Sequence, residues 1–392
     1  MPIKPAERIS KLPPYLFAEL KRLKRETQQR GIDVIELGEG DPDLPTPEHI
    51  VRALAEAAKD PTNHRYPSYN GLLAFRQAVA EWYKKRFDVT LDPEEEVLTI
   101  IGAKDGIAHI AWALIDPGDY VLVPNPAYPV YQAQVLFTGG IVYDLPLLAK
   151  NDFLPDLSRI ASKILSKAKV IFLNYPNNPT GAVAPLEFYR ELISFARKHK
   201  IIIINDGIYS EITYDGYKPV SLMEIEGAKE VAVEFHSLSK TYNMTGWRIG
   251  WACGNREILA GLLKIKTNCD SGVFQAIQYA GIAALTGPQN CVEKNRKIYQ
   301  ERRDILTEGL REVEFKVEKP KATFYLWVPV LSGYDSIGMA KVLLERCSIL
   351  VTPGIGFGKY GEGYIRFALT APTERIKEAV KRIKMVEWKK PR

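Results

Sequence analysis

Short β-branched runs alternate with amphipathic stretches through the middle of this chain, and that alternation restricts the fold more than any other feature. The runs at 97–101, 120–123, 170–173, 201–204, 231–235 and 249–252 are almost uninterrupted by polar residues, the pattern of strands buried on both faces of a largely parallel sheet. The first of them passes through Gly102 into a helix expected over 103–115. Asp116-Pro-Gly118 then turns the chain into the second strand, and helical periodicity fills 186–199. Strands alternating with helices in this way place the chain in the α/β class.

The two ends depart from this pattern. Residues 12–47 hold a Pro-Pro pair, a polar helix over 16–29 and the turn-rich stretch Leu37-Gly-Glu-Gly-Asp-Pro-Asp43. From about 289 a long charged helix, expected to reach 312, leads into strand-like runs at 323–328 and 364–369 and a last basic helix. The expected organisation is an N-terminal arm and part of a small domain at 1–46, a large domain at 47–288, and the rest of the small domain at 289–392. A chain of 392 residues, 46% of them hydrophobic, has core enough for this division.

Charge and cysteine usage exclude several classes of function. Lys+Arg number 53 against 47 Asp+Glu, a net +6, too slight over this length to imply a nucleic-acid partner. The basic stretch 377–392 reads as the solvated end of a helix. Cys253, Cys269, Cys291 and Cys347 form no C-x-x-C pair and have no His at ligand spacing, so neither a metal module nor a disulfide scaffold is expected. Reduced thiols suit a cytoplasmic location. No apolar run approaches the roughly 18 residues that cross a bilayer, and 1–10 lack the apolar centre of a signal peptide, so no membrane partner is expected.

The chemistry gathers at strand ends. Ser237-Leu-Ser-Lys240 follows the run at 231–235, with Arg248 eight residues on. A loop at the carboxyl end of a parallel strand faces the crevice where α/β proteins bind ligands. There a lysine flanked by Ser and Arg suits a phosphate-bearing aldehyde, the amine forming a Schiff base while hydroxyl and guanidinium hold the phosphate. Taken alone, Lys240 also fits a surface lysine and Arg248 a structural ion pair. The strand at 201–205 ends in Asp206, with Tyr209 three residues later. A carboxylate so placed needs a strong partner, and a protonated pyridine nitrogen is one; a helix N-cap is the other reading. Asn178, inside Asn174-Tyr-Pro-Asn-Asn-Pro-Thr-Gly181 after the strand at 170–173, faces the same crevice in a stretch whose composition also suits a plain turn.

Asn178-Pro-Thr-Gly181, Asp206-x-x-Tyr209, Ser237-x-x-Lys240 and Arg248, in this order and spacing, resemble the fold-type I pyridoxal-phosphate aminotransferases of class I/II. The resemblance runs over essentially the whole chain. It implies a large domain with a mostly parallel seven-stranded sheet, a smaller α+β domain built from both termini, and pyridoxal 5'-phosphate as cofactor. It implies that Lys240 carries the cofactor, Asp206 pairs with its ring nitrogen, and Asn178 and Tyr209 bond its ring oxygen. Ala103 and Lys104, in Gly102-Ala-Lys104, match the family's phosphate-cup turn, with Ser237 and Arg248 completing it. Tyr128, in Asn125-Pro-Ala-Tyr-Pro129, matches the aromatic that stacks on the ring. Tyr66, in Tyr66-Pro-Ser-Tyr-Asn-Gly71, matches the tyrosine that reaches the partner subunit's phosphate, which implies a homodimer with shared sites. Arg366 and Gly38 match the residues that hold the substrate α-carboxylate, alongside Asn178.

Within the family, 12–19, 64–71, 234–248 and 323–327 resemble a subgroup of the lysine pathway, implying LL-diaminopimelate and 2-oxoglutarate as substrates. In the plant-type members of that subgroup a glutamate two residues before the Gly71 position helps read the far end of the substrate. Here Tyr69 stands there, which leaves that reader unassigned. Lys104 is a candidate for the distal carboxylate, and Asn268, Asp270 and Glu39 are candidates for the distal ammonium. The rival readings are broad aspartate/alanine transamination, another pyridoxal-phosphate chemistry such as β-elimination, and a regulator built on this scaffold. The last would need a DNA-binding module for which no helix-turn-helix pattern is present.

Overall fold

The computed structural model describes residues 3–12 and 16–388. Part of the 12–19 stretch, the start of the 1–10 segment and the end of the basic tail therefore lie outside the described residues. Twelve strands are described: β1 (Ile35–Glu36), β2 (Val97–Ile100), β3 (Tyr120–Asn125), β4 (Ile141–Pro146), β5 (Ala168–Leu173), β6 (Ile202–Asp206), β7 (Ala232–Ser237), β8 (Gly250–Gly254), β9 (Tyr325–Pro329), β10 (Ile349–Leu350), β11 (Thr352–Pro353) and β12 (Tyr364–Ala368). Seven form one sheet in the order β2-β8-β7-β6-β5-β3-β4. β8 runs antiparallel to both neighbours, and the other pairings are parallel.

The nearly pure apolar runs follow from burial on both faces. Leu122, Ile171, Leu173 and Ile203 point into one core. Val121, Val123, Val170, Phe172 and Ile204, one residue out of phase, point into another, as the two-residue period of a strand requires. A third core gathers around β9 and β12, with Leu326, Val328, Ile365 and Phe367 wholly buried. There β11-β12-β9 form a small antiparallel sheet and β1 pairs with β10, so the two ends of the chain meet. On the helix Thr373–Lys384, Arg375 and Arg382 both bind Asp33, while Lys377, Lys381 and Lys384 are exposed.

Several sequence-based bounds shift. Val231 closes the short helix Ala228–Val231, and β7 continues instead to Ser237. The strand expected from Thr323 begins at Tyr325, because Thr323 adopts a left-handed φ of 68°. β4 was not expected, since its apolar run Ile141-Val142-Tyr143 is cut short by Asp144: it is an edge strand, mostly half-exposed. Among the described residues no helix is long and apolar enough to cross a membrane.

Candidate functional site

Because β8 is antiparallel to both β2 and β7, β2, β3, β5, β6 and β7 all end at one rim of the sheet, and β8 starts there. That rim collects the expected residues. Gly102 follows β2, Tyr128 follows β3, Asn178 follows β5, Asp206 ends β6, Ser237 ends β7 with Lys240 just beyond, and Arg248 precedes β8. Ala103, Lys104, Tyr128, Asn178, Asp206, Tyr209, Ser237, Lys240 and Arg248 line one cavity of about 440 Å³.

The phosphate end is built from backbone. Gly102 caps the helix Ala103–Leu114 at a φ of 83°, a conformation that favours glycine. A Cβ there would also run into the Arg248 guanidinium. Arg248 is turned toward this helix start by donating to the carbonyls of Thr245 (2.7 Å) and Ile101 (3.3 Å). The N-terminal amides of the helix, the positive end of its dipole and a guanidinium together make an anion cradle. Ser237 caps the helix Leu238–Thr241 by accepting from the Ser239 amide (3.1 Å).

At the other end of the cavity lies a buried acid. Asp206 Oδ2 accepts from Tyr131 Oη at 2.8 Å, and the backbone carbonyl of Asp206 accepts from Asn174 Nδ2 at 2.7 Å. Its Oδ1 is buried with no hydrogen-bond partner. Burial pushes this carboxyl up to about 6, with the Tyr131 bond opposing the shift. Such an orphaned oxygen fits a protonated ring nitrogen, which would satisfy it and return the group to its ionised form.

Lys240 Nζ donates to the Gly40 carbonyl at 2.9 Å. Burial depresses its pKa from the ordinary 10.5 to about 8, so the neutral, nucleophilic amine is available near neutral pH. In the cofactor-free protein, labelling of Lys240 by an amine-selective reagent is therefore expected to rise with pH through a midpoint near 8. Peptide mapping checks this, and a midpoint shared with the surface lysines would refute it.

Arg366 lies behind the cavity wall, wholly buried. Its Nη1 donates to Asn178 Oδ1 (2.7 Å) and its Nη2 to the Gly38 carbonyl (2.6 Å), and its guanidinium packs over the rings of Tyr325 (4.1 Å) and Phe357 (4.7 Å). The residues expected to hold a carboxylate are thus joined to one another, although they come from β12, the loop after β5 and the loop after β1. Tyr66 stands apart from the cavity and is 87% exposed. Asn268 and Asp270 do not line the cavity either. Asn268 bonds the Lys264 carbonyl (2.8 Å), and Asp270 pairs with buried Lys266 (2.8 Å) and lies beside His109 (3.7 Å).

Several cavity residues escaped the sequence reading, Lys21, Tyr131, Asn174 and Tyr325 among them. Tyr131 follows Tyr128 by one helical turn, a spacing that could have pointed to it. Asn174 opens the stretch from which only Asn178 was chosen. Tyr325, whose hydroxyl lies 3.0 Å from that of Tyr209, carried no local signal, because only the meeting of the two chain ends places it here.

Residues 32–383 match the family described as aminotransferase class I and II. The chain is 55% identical over 381 residues to an LL-diaminopimelate aminotransferase of Moorella thermoacetica, covering 97% of this chain and 98% of that protein. Among solved structures, substrate-bound BacF from Bacillus subtilis superimposes with a TM-score of 0.94 at 39% identity, over 98% of each chain. A mutant aspartate aminotransferase of Thermus thermophilus gives a TM-score of 0.91 at 29% identity, over 98% of this chain and 99% of that one.

Proposed function

The chain belongs to the class I and II aminotransferase family, and from that premise we propose a cytoplasmic, homodimeric enzyme that uses pyridoxal 5'-phosphate to exchange the amino group of LL-diaminopimelate with 2-oxoglutarate or glutamate. Tetrahydrodipicolinate is then the cyclised product. The observation that carries the reaction class is the buried, partnerless Oδ1 of Asp206 in one cavity with Lys240. The substrate rests on the name of a relative 55% identical over nearly the full chain, against the 29% shared with the aspartate enzyme.

When bound, the cofactor supplies an aldehyde and a ring that takes up the electrons of a substrate carbanion. Gly102, Ala103, Lys104, Ser237 and Arg248 hold its phosphate. Asp206, kept in place by Tyr131, keeps the ring nitrogen protonated. Asn178 and Tyr209 bond the ring oxygen, and Tyr128 packs against the ring. Lys240 would anchor the cofactor, and its amine, when free, would take the proton from the substrate Cα and hold it on Nζ. An amine titrating near 8 suits that base role. Arg366 holds the α-carboxylate, with Asn178 and the Gly38 backbone beside it. In the second half-reaction the same residues serve a 2-oxo acid in reverse.

The domain limits 1–46, 47–288 and 289–392 belong to this proposal, with the sheet carrying the cofactor and the joined termini closing over the substrate. So does the homodimer, in which Tyr66, exposed on one protomer, completes the phosphate site of the other. Mixing Tyr66→Phe with Lys240→Ala subunits is expected to yield hybrids whose one lysine-bearing site recovers its tyrosine from the partner subunit, and a site that stayed impaired would place the ring in its own subunit. An active monomer in sedimentation would exclude the arrangement. The substrate is tested by an amino-donor screen with 2-oxoglutarate. Much faster turnover of aspartate or alanine than of LL-diaminopimelate would remove the narrow assignment and leave the transaminase.

A further inference from the structure

Of the candidates for the far end of a long substrate, Asn268 and Asp270 do not line the cavity of this protomer and Lys104 is assigned to the cofactor phosphate, which leaves Glu39. Building on the diaminopimelate reading above, we propose that Lys21 and Glu39 together read that end, Glu39 receiving the distal ammonium and Lys21 the distal carboxylate.

Glu39 is the middle residue of Gly38-Glu39-Gly40, and all three carbonyls of that segment are held. Gly38 accepts from Arg366 Nη2 (2.6 Å), Glu39 from Thr370 Oγ1 (2.8 Å) and Gly40 from Lys240 Nζ (2.9 Å). The segment therefore runs between the group that grips the reacting carboxylate and the reacting lysine, and its single side chain faces the same cavity. From the other side the helix Leu16–Gln29 brings Lys21, also lining the cavity, with its Nζ 3.0 Å from Glu39 Oε1.

An amino-acid head carries an ammonium and a carboxylate side by side. Lys21 and Glu39 present the opposite charges in the same adjacency. Their own pair is weak, since 66% and 37% of the two side chains remain exposed, and such pairs add little to stability. Exchanging it for two charge-assisted bonds to a ligand that displaces water from the cavity is favourable. A ligand ending in a carboxylate alone leaves Glu39 facing that charge, which is how a charged reader rejects the wrong substrate.

The test compares kcat/KM for LL-diaminopimelate, for 2-aminopimelate, which has the same length and no distal ammonium, and for glutamate. Glu39→Gln is expected to lower the diaminopimelate to 2-aminopimelate ratio about 30-fold, the loss of one charged hydrogen bond. Lys21→Met should lower both long substrates relative to glutamate and leave that ratio nearly intact. Equal falls on all three substrates would make the pair a latch between helix and loop and overturn the inference, as would unchanged ratios. A wild-type enzyme that transaminates other donors and ignores LL-diaminopimelate would overturn the substrate reading itself, and this inference with it.

Discussion

Replacing Lys240 by Ala is expected to lower kcat/KM by about 10⁴-fold or more, because it removes both the cofactor anchor and the base that moves the Cα proton. The fold should survive. The amine is drawn out of water at a cost seen in its depressed pKa of about 8, so trimming it relieves a burial penalty. The short helix Leu238–Thr241 is capped by Ser237, not by Lys240. Circular dichroism should be unchanged while the visible absorbance of lysine-bound cofactor disappears. A variant that kept its rate and spectrum would reject the assignment.

Asp206→Asn should cost about 10³-fold in kcat/KM, of the order lost when a buried electrostatic partner of the transition state is removed. The change is nearly isosteric. The amide oxygen still accepts from Tyr131, and the Asn174 bond goes to the backbone and is untouched. What vanishes is the charge. Its pH signature has a definite sign: the wild-type carboxyl titrates near 6 before cofactor binds, above the ordinary carboxylate range. Affinity for a cofactor with a protonated ring nitrogen should therefore fall as pH drops through about 6 in the wild type. It should stay flat there in Asp206→Asn. Binding titrations across that range check both, and a wild-type affinity that did not change would refute the pairing.

Much of this was legible because the information was local. A lysine, an aspartate or an asparagine just beyond a buried run can face only one rim, so Lys240, Asp206 and Asn178 could be placed from their strands. β4 could not be found, since an edge strand needs no continuous apolar run, and neither could the two-residue strands β1, β10 and β11, whose pairing depends on segments far apart in sequence. Tyr325 was hidden for the same reason: its strand was expected, but its neighbour Tyr209 lies 116 residues away in the chain. Asp270, a candidate from its acidity alone, pairs with Lys266 outside the cavity of this protomer. Nothing in the fold of one chain gives Tyr66 a partner in the cavity; its exposure gains a role only on the proposed dimer.

The carbonyl of Gly38 and the side chain of Asn178 meet on one guanidinium, Arg366, whereas the residues proposed to hold the cofactor from within one protomer lie between Gly102 and Arg248. On the proposed reading the substrate is held largely by the two ends of the chain, joined through Asn178 to the middle stretch that holds the cofactor. Evolution can retarget the enzyme by altering its two ends, at Lys21, Glu39 or the strands around Arg366, while the inherited chemistry of the middle stays as it is.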